Sequence, residues 1–397
     1  MKKYFAIAAA AIAVMASCTK TELNTDSDPG QKISFEVANY VPQTKAVAPE
    51  FTSFGCRAFL HAEGVDLNSD GTVKTTTSYQ EFFGSDGETV TKSTASGSET
   101  WEPSHTYYWP KGEKSFVNFV GWYGAGNGEN NAPTVSYGYN SDEGVNKYRA
   151  TLTWSFSNNS AGTSDANLLY ADMAWRYKSN TTNTAHYTDD PVTVGVPMLF
   201  HHALAQINVK AYAYGTAALN AGSTTNSVTD DTATWTISLN NVKITSVYAG
   251  GTLTLTNDDP VTSGTPGTAQ TKAWTGSWAV TGTAGDAFSV TGPVYVNALS
   301  QGAAGDVIAA TCVLPQDIGN TVKLSFDMTI QTAYSAGQSN TETIHKEILL
   351  NTMGTTSWDM NTKYTYYLKV VPSQNAVLFD PAVSEEWATV SSSDQEI

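Results

Sequence analysis

Residues 33–39, Ile-Ser-Phe-Glu-Val-Ala-Asn, indicate the fold class of this 397-residue chain. Ile33, Phe35 and Val37 alternate with polar or small residues. A period of two places the three apolar side chains on one face of an extended segment, and Asn39 ends the run. The stretch therefore predicts a half-buried β-strand at the start of the folded protein.

The same alternation recurs along the chain in short runs. Between these runs Gly, Asn, Asp, Ser and Thr are frequent, and helical periodicity is nearly absent. The runs cover residues 54–60, 116–123, 148–156, 207–212, 235–239, 242–248, 307–314, 322–330, 344–350 and 364–371. Many short strands at this spacing predict an all-β fold made of sandwiches rather than a parallel α/β sheet.

Two long stretches, residues 68–104 and 157–190, contain no convincing strand pattern. The second ends in a polar run before Pro191, and we place a domain boundary there. The predicted organisation is a signal peptide at 1–17, a flexible tether at 18–31, an N-terminal β-sandwich at 32–190 and a C-terminal β-sandwich at 191–397.

The N-terminal segment predicts export. Lys2 and Lys3 precede an apolar run at residues 4–16, which is too short to cross a bilayer and is typical of a signal-peptide core. Small residues then lead to Cys18, an order that resembles a bacterial lipoprotein signal in which this cysteine is lipidated. Met15 departs from the usual Leu or Val. An ordinary secretory signal with Cys18 incidental is the alternative, and both place the protein outside the cytoplasm.

Charge and cysteine content restrict the partners and the kind of scaffold. With 21 basic and 37 acidic residues the net charge is −16, which argues against nucleic acid and anionic membrane surfaces as partners. Besides Cys18, only Cys56 and Cys312 remain, and both alternate with apolar residues. We interpret them as small buried hydrophobes, with a disulfide between them as the alternative in an oxidising compartment.

Two patterns suggest a metal site. Asp66, Asn68 and Asp70 match the first half of an EF-hand calcium loop, but position 12 is Thr77, and Asp-Gly turns give the same residues without a metal. The adjacent pair at 201–202 is His-His, whose side chains would point to opposite faces of a strand and so would not share one ion.

No phosphate-binding loop, zinc-protease motif, nucleophile elbow or Cys-x-x-Cys pair is found in the sequence. We therefore predict no enzymatic activity and no cofactor. A β-sandwich hydrolase is the least favoured alternative, since its carboxylates need not be close in sequence. The ten Trp and twenty Tyr residues suit either core packing or a platform that stacks on sugars.

Several segments together resemble one family, the fimbrillin-like proteins of Bacteroidetes. They occur in the family's order along nearly the whole mature chain. The segments are ISFEVANYVPQTKA (33–46), FTSFGCRAFL (51–60), YYWPKGEKSFVNFVGWYG (107–124), DANLLYA (165–171), LFHHALAQINVKAY (199–212), CVLPQ (312–316) and WDMNTKYTYYLKV (358–370).

The resemblance implies a surface pilus subunit or cell-adhesion protein with two transthyretin-like β-sandwich domains. Such subunits are exported as lipoproteins to the outer membrane, and a trypsin-like protease then removes the lipid and the first strand. A strand from a neighbouring subunit, often its C-terminal segment, fills the vacated groove by β-strand addition. Other pilus subunits are therefore the expected partners, with surface glycans or proteins as adhesion ligands.

Two regions of this sequence match that mechanism. Lys45, followed by Ala46, stands where the family usually has arginine, which makes cleavage between them the expected processing step. Near the other end, Val377, Phe379, Val383 and Trp387 form an apolar series within a candidate donor strand at 377–390. The alternative is that this segment completes its own sheet.

The sequence thus favours a pilus or adhesion subunit that assembles by strand exchange. The alternative is a monomeric outer-membrane lipoprotein that binds glycans.

Overall fold

A computed structural model describes most of the chain. The described residues are 31–39, 51–62, 80–93, 100–110, 115–125, 132–140, 147–157, 167–177, 195–213, 220–221, 227–229, 232–259, 270–286, 288–290, 293–296, 306–379 and 381–386. They form β-strands and two short 3-10 helices, Leu350–Met353 and Pro372–Gln374. The prediction of an all-β fold is confirmed. Within these ranges, no helix has the length and apolar character needed to span a membrane.

The strands are numbered in chain order. They are β1 (Phe35–Asn39), β2 (Ser53–His61), β3 (Gln80–Glu81), β4 (Glu88–Ser93), β5 (Thr100–Pro103), β6 (Phe116–Ala125), β7 (Thr134–Asn140), β8 (Lys147–Ser157), β9 (Asn167–Ala171), β10 (Met173–Tyr177), β11 (Val196–His202), β12 (Ala205–Ala213), β13 (Asn220–Ala221), β14 (Val228–Thr229), β15 (Ala233–Thr245), β16 (Val247–Asp258), β17 (Gln270–Lys272), β18 (Thr275–Gly285), β19 (Phe288–Val290), β20 (Val294–Tyr295), β21 (Asp306–Val313), β22 (Gln316–Asp317), β23 (Lys323–Tyr334), β24 (Ser339–Leu349), β25 (Ser357–Trp358), β26 (Thr362–Val371), β27 (Ala376–Phe379) and β28 (Val383–Glu386).

The first sheet closes on itself. Its strand order is β17-β10-β6-β9-β11-β1-β5-β4-β2-β3, and β2 also pairs with β6. The strands β2, β6, β9, β11, β1, β5 and β4 therefore form a closed ring, so the sheet is barrel-like. The ring encloses a core rich in aromatic residues, including Phe35, Phe54, Trp101, Phe119 and Phe200. Burying several such side chains in one small space stabilises the closed arrangement.

A four-stranded sheet, in the order β18-β16-β8-β7, covers part of the outside of this barrel. Its inward side chains include Leu152, Trp154, Leu253 and Leu255, and they share one apolar cluster with Trp175 of β10. Strict alternation along β8 and β16 buries these residues while their neighbours face outward, as the two-residue period predicts.

The C-terminal half contains a β-sandwich. One sheet has the order β21-β12-β26-β27 with β28 also on β26, and the other has the order β13-β14-β15-β23-β24 with β19 and β20 on β15. The two sheets share one apolar cluster, to which Ile207, Tyr366, Ile237 and Phe326 belong.

Two expectations about missing strands were wrong. Residues 68–104 contain β3, β4 and β5, and residues 157–190 contain β9 and β10. β9 and β10 show no alternation because both of their faces are buried. Leu169 and Ala171 point into the barrel core, whereas Leu168 and Tyr170 point into the cluster beneath the four-stranded sheet. A strand covered on both sides has no polar face to reveal its period.

The sheets connect the two halves of the chain. β11, which follows residue 190, pairs with β1 and β9, and β16 and β17 pair with β8 and β10. The boundary near residue 190 stays a prediction, and any division there must accommodate these shared strands.

Candidate functional site

The first strand, β1, is an integral part of the barrel wall. It pairs in parallel with β11 over five residue pairs, from Phe35 opposite Val196 to Asn39 opposite Phe200. On its other side it meets β5 only at Phe35 opposite Trp101. The chain before β1 adds two more hydrogen bonds, since the Ile33 amide donates to the Tyr107 carbonyl and the Trp109 amide donates to the Gln31 carbonyl, on either side of the bridge between Lys32 and Tyr108. β1 therefore joins two parts of the ring.

The apolar side chains of β1, together with Ile33 just before it, fill part of the barrel core. Ile33, Phe35 and Val37 are 2%, 3% and 9% exposed. The Phe35 ring makes edge-to-face contacts with Phe54 and Phe119 at centroid distances of 5.8 and 5.4 Å. Without this strand the ring would be open, and a groove lined by aromatic side chains would face solvent.

One backbone contact fixes how closely β11 approaches β1. Gly195 has φ of +130°, and a Cβ there would lie 2.7 Å from the carbonyl carbon of Phe35. Only glycine fits such a close approach without a shift of the backbone. Glycine is therefore required just before β11 as long as a strand occupies the β1 position.

A buried carboxylate holds the other wall of the groove. Glu88, at the start of β4, accepts hydrogen bonds from the Ser104 hydroxyl at 2.6 Å and the Tyr107 hydroxyl at 2.7 Å, and its Oε1 lies 2.8 Å from His105 Nδ1. Burial alone would raise the pKa of Glu88, but these hydrogen bonds outweigh it and lower the pKa. The cluster fixes the segment whose Tyr107 carbonyl receives the Ile33 amide.

Sequence reasoning missed this cluster. Glu88 falls in a stretch that was expected to lack strands, and its three partners lie 16 to 19 residues further along the chain. No spacing rule links a carboxylate to partners that only a hairpin brings together. Locally, the sequence offered only one indication of this cluster, a Glu between Gly87 and the Thr-Val-Thr run of β4.

The C-terminal strands lie at a sheet edge. β27 pairs antiparallel with the second half of β26, and β28 pairs with its first half. Val377 and Phe379 are half-buried against the sandwich core, whereas Val383 is 49% exposed. The Ala382 amide donates to the Met353 carbonyl at 2.7 Å between the two strands. In this single chain the segment extends its own sheet.

The other predicted site residues lie outside the described residues. They are Cys18, Lys45, Ala46, Asp66, Asn68, Asp70 and Trp387. Over the described ranges, no group of three or more His, Cys, Asp or Glu side chains is placed to hold a metal ion.

The two remaining cysteines are not bridged. Cys56 is buried in the barrel core and Cys312 in the neighbouring cluster, and both are free thiols. Burial raises the pKa of the Cys56 thiol well above its usual value. Both residues pack as small hydrophobes, and the disulfide alternative does not hold in this structure.

The histidine pair faces opposite sides of β11. His201 is partly buried, and its Nε2 lies 2.9 Å from Asp172 Oδ1. His202 is buried, and that burial lowers its pKa to about 3, so the ring is neutral at physiological pH. The two rings do not share a site, as alternation along a strand predicts.

Comparison with known proteins gives one family. A model described as fimbrillin-like matches residues 65–387. Among solved structures, a fimbrial protein from Bacteroides vulgatus is 15% identical, with 90% of this chain and 99% of that one covered and a TM-score of 0.49. The fimbrial anchor protein Mfa2 from Porphyromonas gingivalis is 10% identical, with 90% and 97% covered and a TM-score of 0.23. A search of curated proteins gave no match.

Proposed function

The chain belongs to the fimbrillin-like family, and on that premise we propose that it is a structural subunit of a surface pilus or a cell-adhesion protein. The observation that carries the proposal is the family match over residues 65–387, which spans most of the chain. Its partners are then other pilus subunits.

We propose further that subunits assemble by β-strand exchange at the β1 position. Three features of β1 support this. It is short, its apolar side chains are buried in one groove, and it bonds in register to β11 along its whole length. A strand from another subunit that repeats its alternation would recover the same backbone hydrogen bonds and fill the same aromatic pocket.

Release of β1 requires a cut, and we propose that it falls between Lys45 and Ala46. Lys45 follows the end of β1 at Asn39 by six residues. The first arginine after it, Arg57, lies within β2, whose pairing with β6 a cut would destroy. Lipidation at Cys18 would hold the precursor at the outer membrane until the cut frees it as part of a fimbrium.

The proposed donor is the segment at 377–390. Its described part is a sheet edge, with Val383 about half exposed, so it can leave its own sheet at low cost. If this segment left its own sheet and entered the groove of a neighbouring subunit, its half-buried side chains would become buried.

For the fold, we propose two tandem transthyretin-like sandwiches at 32–190 and 191–397. The sandwich built from β12, β15, β21, β23 and β26 supports the second unit. The first unit would have to include β11, β16 and β17, which pair with its strands, and β18, which pairs with β16.

Processing gives the direct test of this function. The N-terminus of assembled material released from the surface should be Ala46. Lys45→Gln should block the cut and leave lipidated monomers, whereas Lys45→Arg should restore polymers that resist SDS without boiling. Assembled material that begins at Cys18 would overturn the trimming step, and wild-type protein that forms no polymers would overturn the pilus role.

Glycan binding is the second candidate function, and one cavity favours it. It measures about 250 Å³ at one end of the C-terminal sandwich. Tyr334, which is 47% exposed, lines it together with Asn340, Glu342 and Asn375. An exposed aromatic ring beside amide and carboxylate groups suits a neutral sugar. Binding on a glycan array that Tyr334→Ala abolishes would favour this function, and no binding by the wild type would exclude it.

A further inference from the structure

The edge strand β18 is unusually free of charge. It pairs only with β16 among the described strands, and nine of its eleven residues are exposed. Its sequence, TGSWAVTGTAG, contains no charged residue and no proline. Natural sheet edges usually carry such residues because they prevent pairing with another chain. β18 lacks this protection.

Two other sheet edges differ from β18. β24 ends the larger sheet of the C-terminal sandwich and carries Glu342, His345, Lys346 and Glu347. β7, at the opposite edge of the four-stranded sheet, buries Val135 and Tyr137, which are 6% and 4% exposed. On β18 the inward residues are only half-buried, which leaves apolar surface for a neighbour to cover.

β18 is also held rigidly in position. The Trp278 indole N–H donates to the Ala203 carbonyl at 2.6 Å, and its ring packs edge-to-face against Phe156 at 6.3 Å. Thr275 to Thr281 stay in regular register with β16. A rigid edge loses little conformational entropy when another strand binds it.

We propose that β18 pairs antiparallel with β18 of a second copy of this chain. The charge distribution supports a second copy as the occupant. With a net charge of −16, most surfaces of two copies repel each other, but this edge contributes no charge to that repulsion. Pairing would join the two four-stranded sheets into one continuous sheet.

The sequence of β18 also selects the register. Opposed residues in an antiparallel pair point to the same face of the sheet. A twofold axis normal to the sheet must therefore lie midway between one residue and the same residue of the second copy. An axis at Ala279, within the stretch that stays in regular register with β16, sets one small side chain against another. It then places Trp278 opposite Val280 of the second copy and Ser277 opposite Thr281, so an aromatic–branched pair and a hydroxyl pair each form twice. Both kinds of pair stabilise antiparallel strands.

This contact is lateral and uses neither β1 nor the C-terminal segment. It therefore goes beyond the proposed function and does not depend on it. Subunits joined end to end by strand exchange would additionally bind side by side.

Cysteine cross-linking tests the register. In the full chain, expressed with its own N-terminal segment and purified in mild detergent, Ala279→Cys should form a disulfide-linked dimer on mild oxidation. Ser277→Cys and Thr281→Cys chains, mixed in equal amounts, should link to each other faster than either links to itself. Thr343→Cys on β24 is the matched control, and it should remain monomeric. Cys56 and Cys312 are buried and add little background.

A charge substitution tests the contact without cross-linking. Ala279→Lys places two like charges at the axis and should weaken self-association, measured by sedimentation, by about tenfold or more. Thr343→Lys should leave it unchanged. The proposal is wrong if the wild type stays monomeric at the highest concentration tested, if both lysine variants behave alike, or if Ala279→Cys links no faster than Thr343→Cys.

Discussion

The first strand and the last strands of the described chain differ sharply in how they are held. β1 and Ile33 just before it bury three apolar side chains in the barrel, each contributing roughly 1.5–3 kcal/mol. β27 and β28 lie on a sheet edge, where Leu378 and Val383 are 47% and 49% exposed. We expect a strand as buried as β1 to stay in place while the chain is uncut, and the C-terminal edge to open more readily. This difference supports the proposed roles, in which the position of β1 is the acceptor groove and the C-terminal segment is the donor strand.

The largest effect is expected at the centre of β1. Phe35→Ala removes a ring that contacts Phe54 and Phe119 and leaves a cavity in the barrel. It should lower the free energy of unfolding by about 3–5 kcal/mol, measured by chemical denaturation. Val383→Ala is the control in the C-terminal edge and should cost far less. Equal losses would contradict the contrast between the two regions.

Deletion of Val377–Ile397 should have a smaller effect on stability and a complete effect on assembly. Val377 and Phe379 are half-buried, so their loss should cost about 2 kcal/mol while the chain stays folded. Polymers that resist SDS should disappear. Deletion of 391–397 alone removes only the polar tail and should preserve them. If polymers form normally without 377–397, another segment is the donor.

A substitution at Glu88 tests whether its buried cluster stabilises the wall of the groove. Glu88→Gln weakens the charge-assisted hydrogen bonds from Ser104 and Tyr107 and should cost about 1.5 kcal/mol at pH 7. The pKa of Glu88 is lowered on folding, so its contribution is present above the unfolded value near 4.5 and is lost as pH falls below it. Unfolding measured from pH 7 to pH 3 should therefore show a weaker pH dependence in the variant.

Glu102→Gln provides the control for that experiment, because Glu102 is an exposed residue of the neighbouring strand β5. Its stability and pH dependence should match the wild type. An identical loss in both variants would mean that the buried cluster does not stabilise the groove.

The sequence predicted β8 and β23, whose burial alternates, and missed β9 and β10, whose faces are both buried. It also missed β7 and β16, although both alternate. In β8 and β23 the alternation is visible because one face is buried and the other is partly exposed. β9 and β10 lie between two apolar clusters, so their sequence, NLLYADMAWRY, carries no period. β4 was missed because its apolar side chains are few and short.

The same distinction between local patterns and contacts made only in the folded chain applies to the candidate site. The alternation of β1 and of the C-terminal series can be seen in the sequence, because each is local in the chain. The barrel that surrounds β1 could not be predicted, since its closure depends on β2 pairing with both β4 and β6. The Glu88 cluster likewise depends on contacts that only the folded chain creates.

The smallest effect on stability should come from Val383→Lys, and it tests the donor strand most selectively. Val383 is about half exposed in its own sheet, so the change should alter the free energy of unfolding by no more than about 0.5 kcal/mol. Leu378→Lys is matched in exposure, but Leu378 lies on the opposite face from Val377 and Phe379. In the groove of a neighbour the odd-numbered face would be buried. Val383→Lys should therefore block polymers while Leu378→Lys permits them, and equal assembly of the two variants would show that this face does not enter the groove.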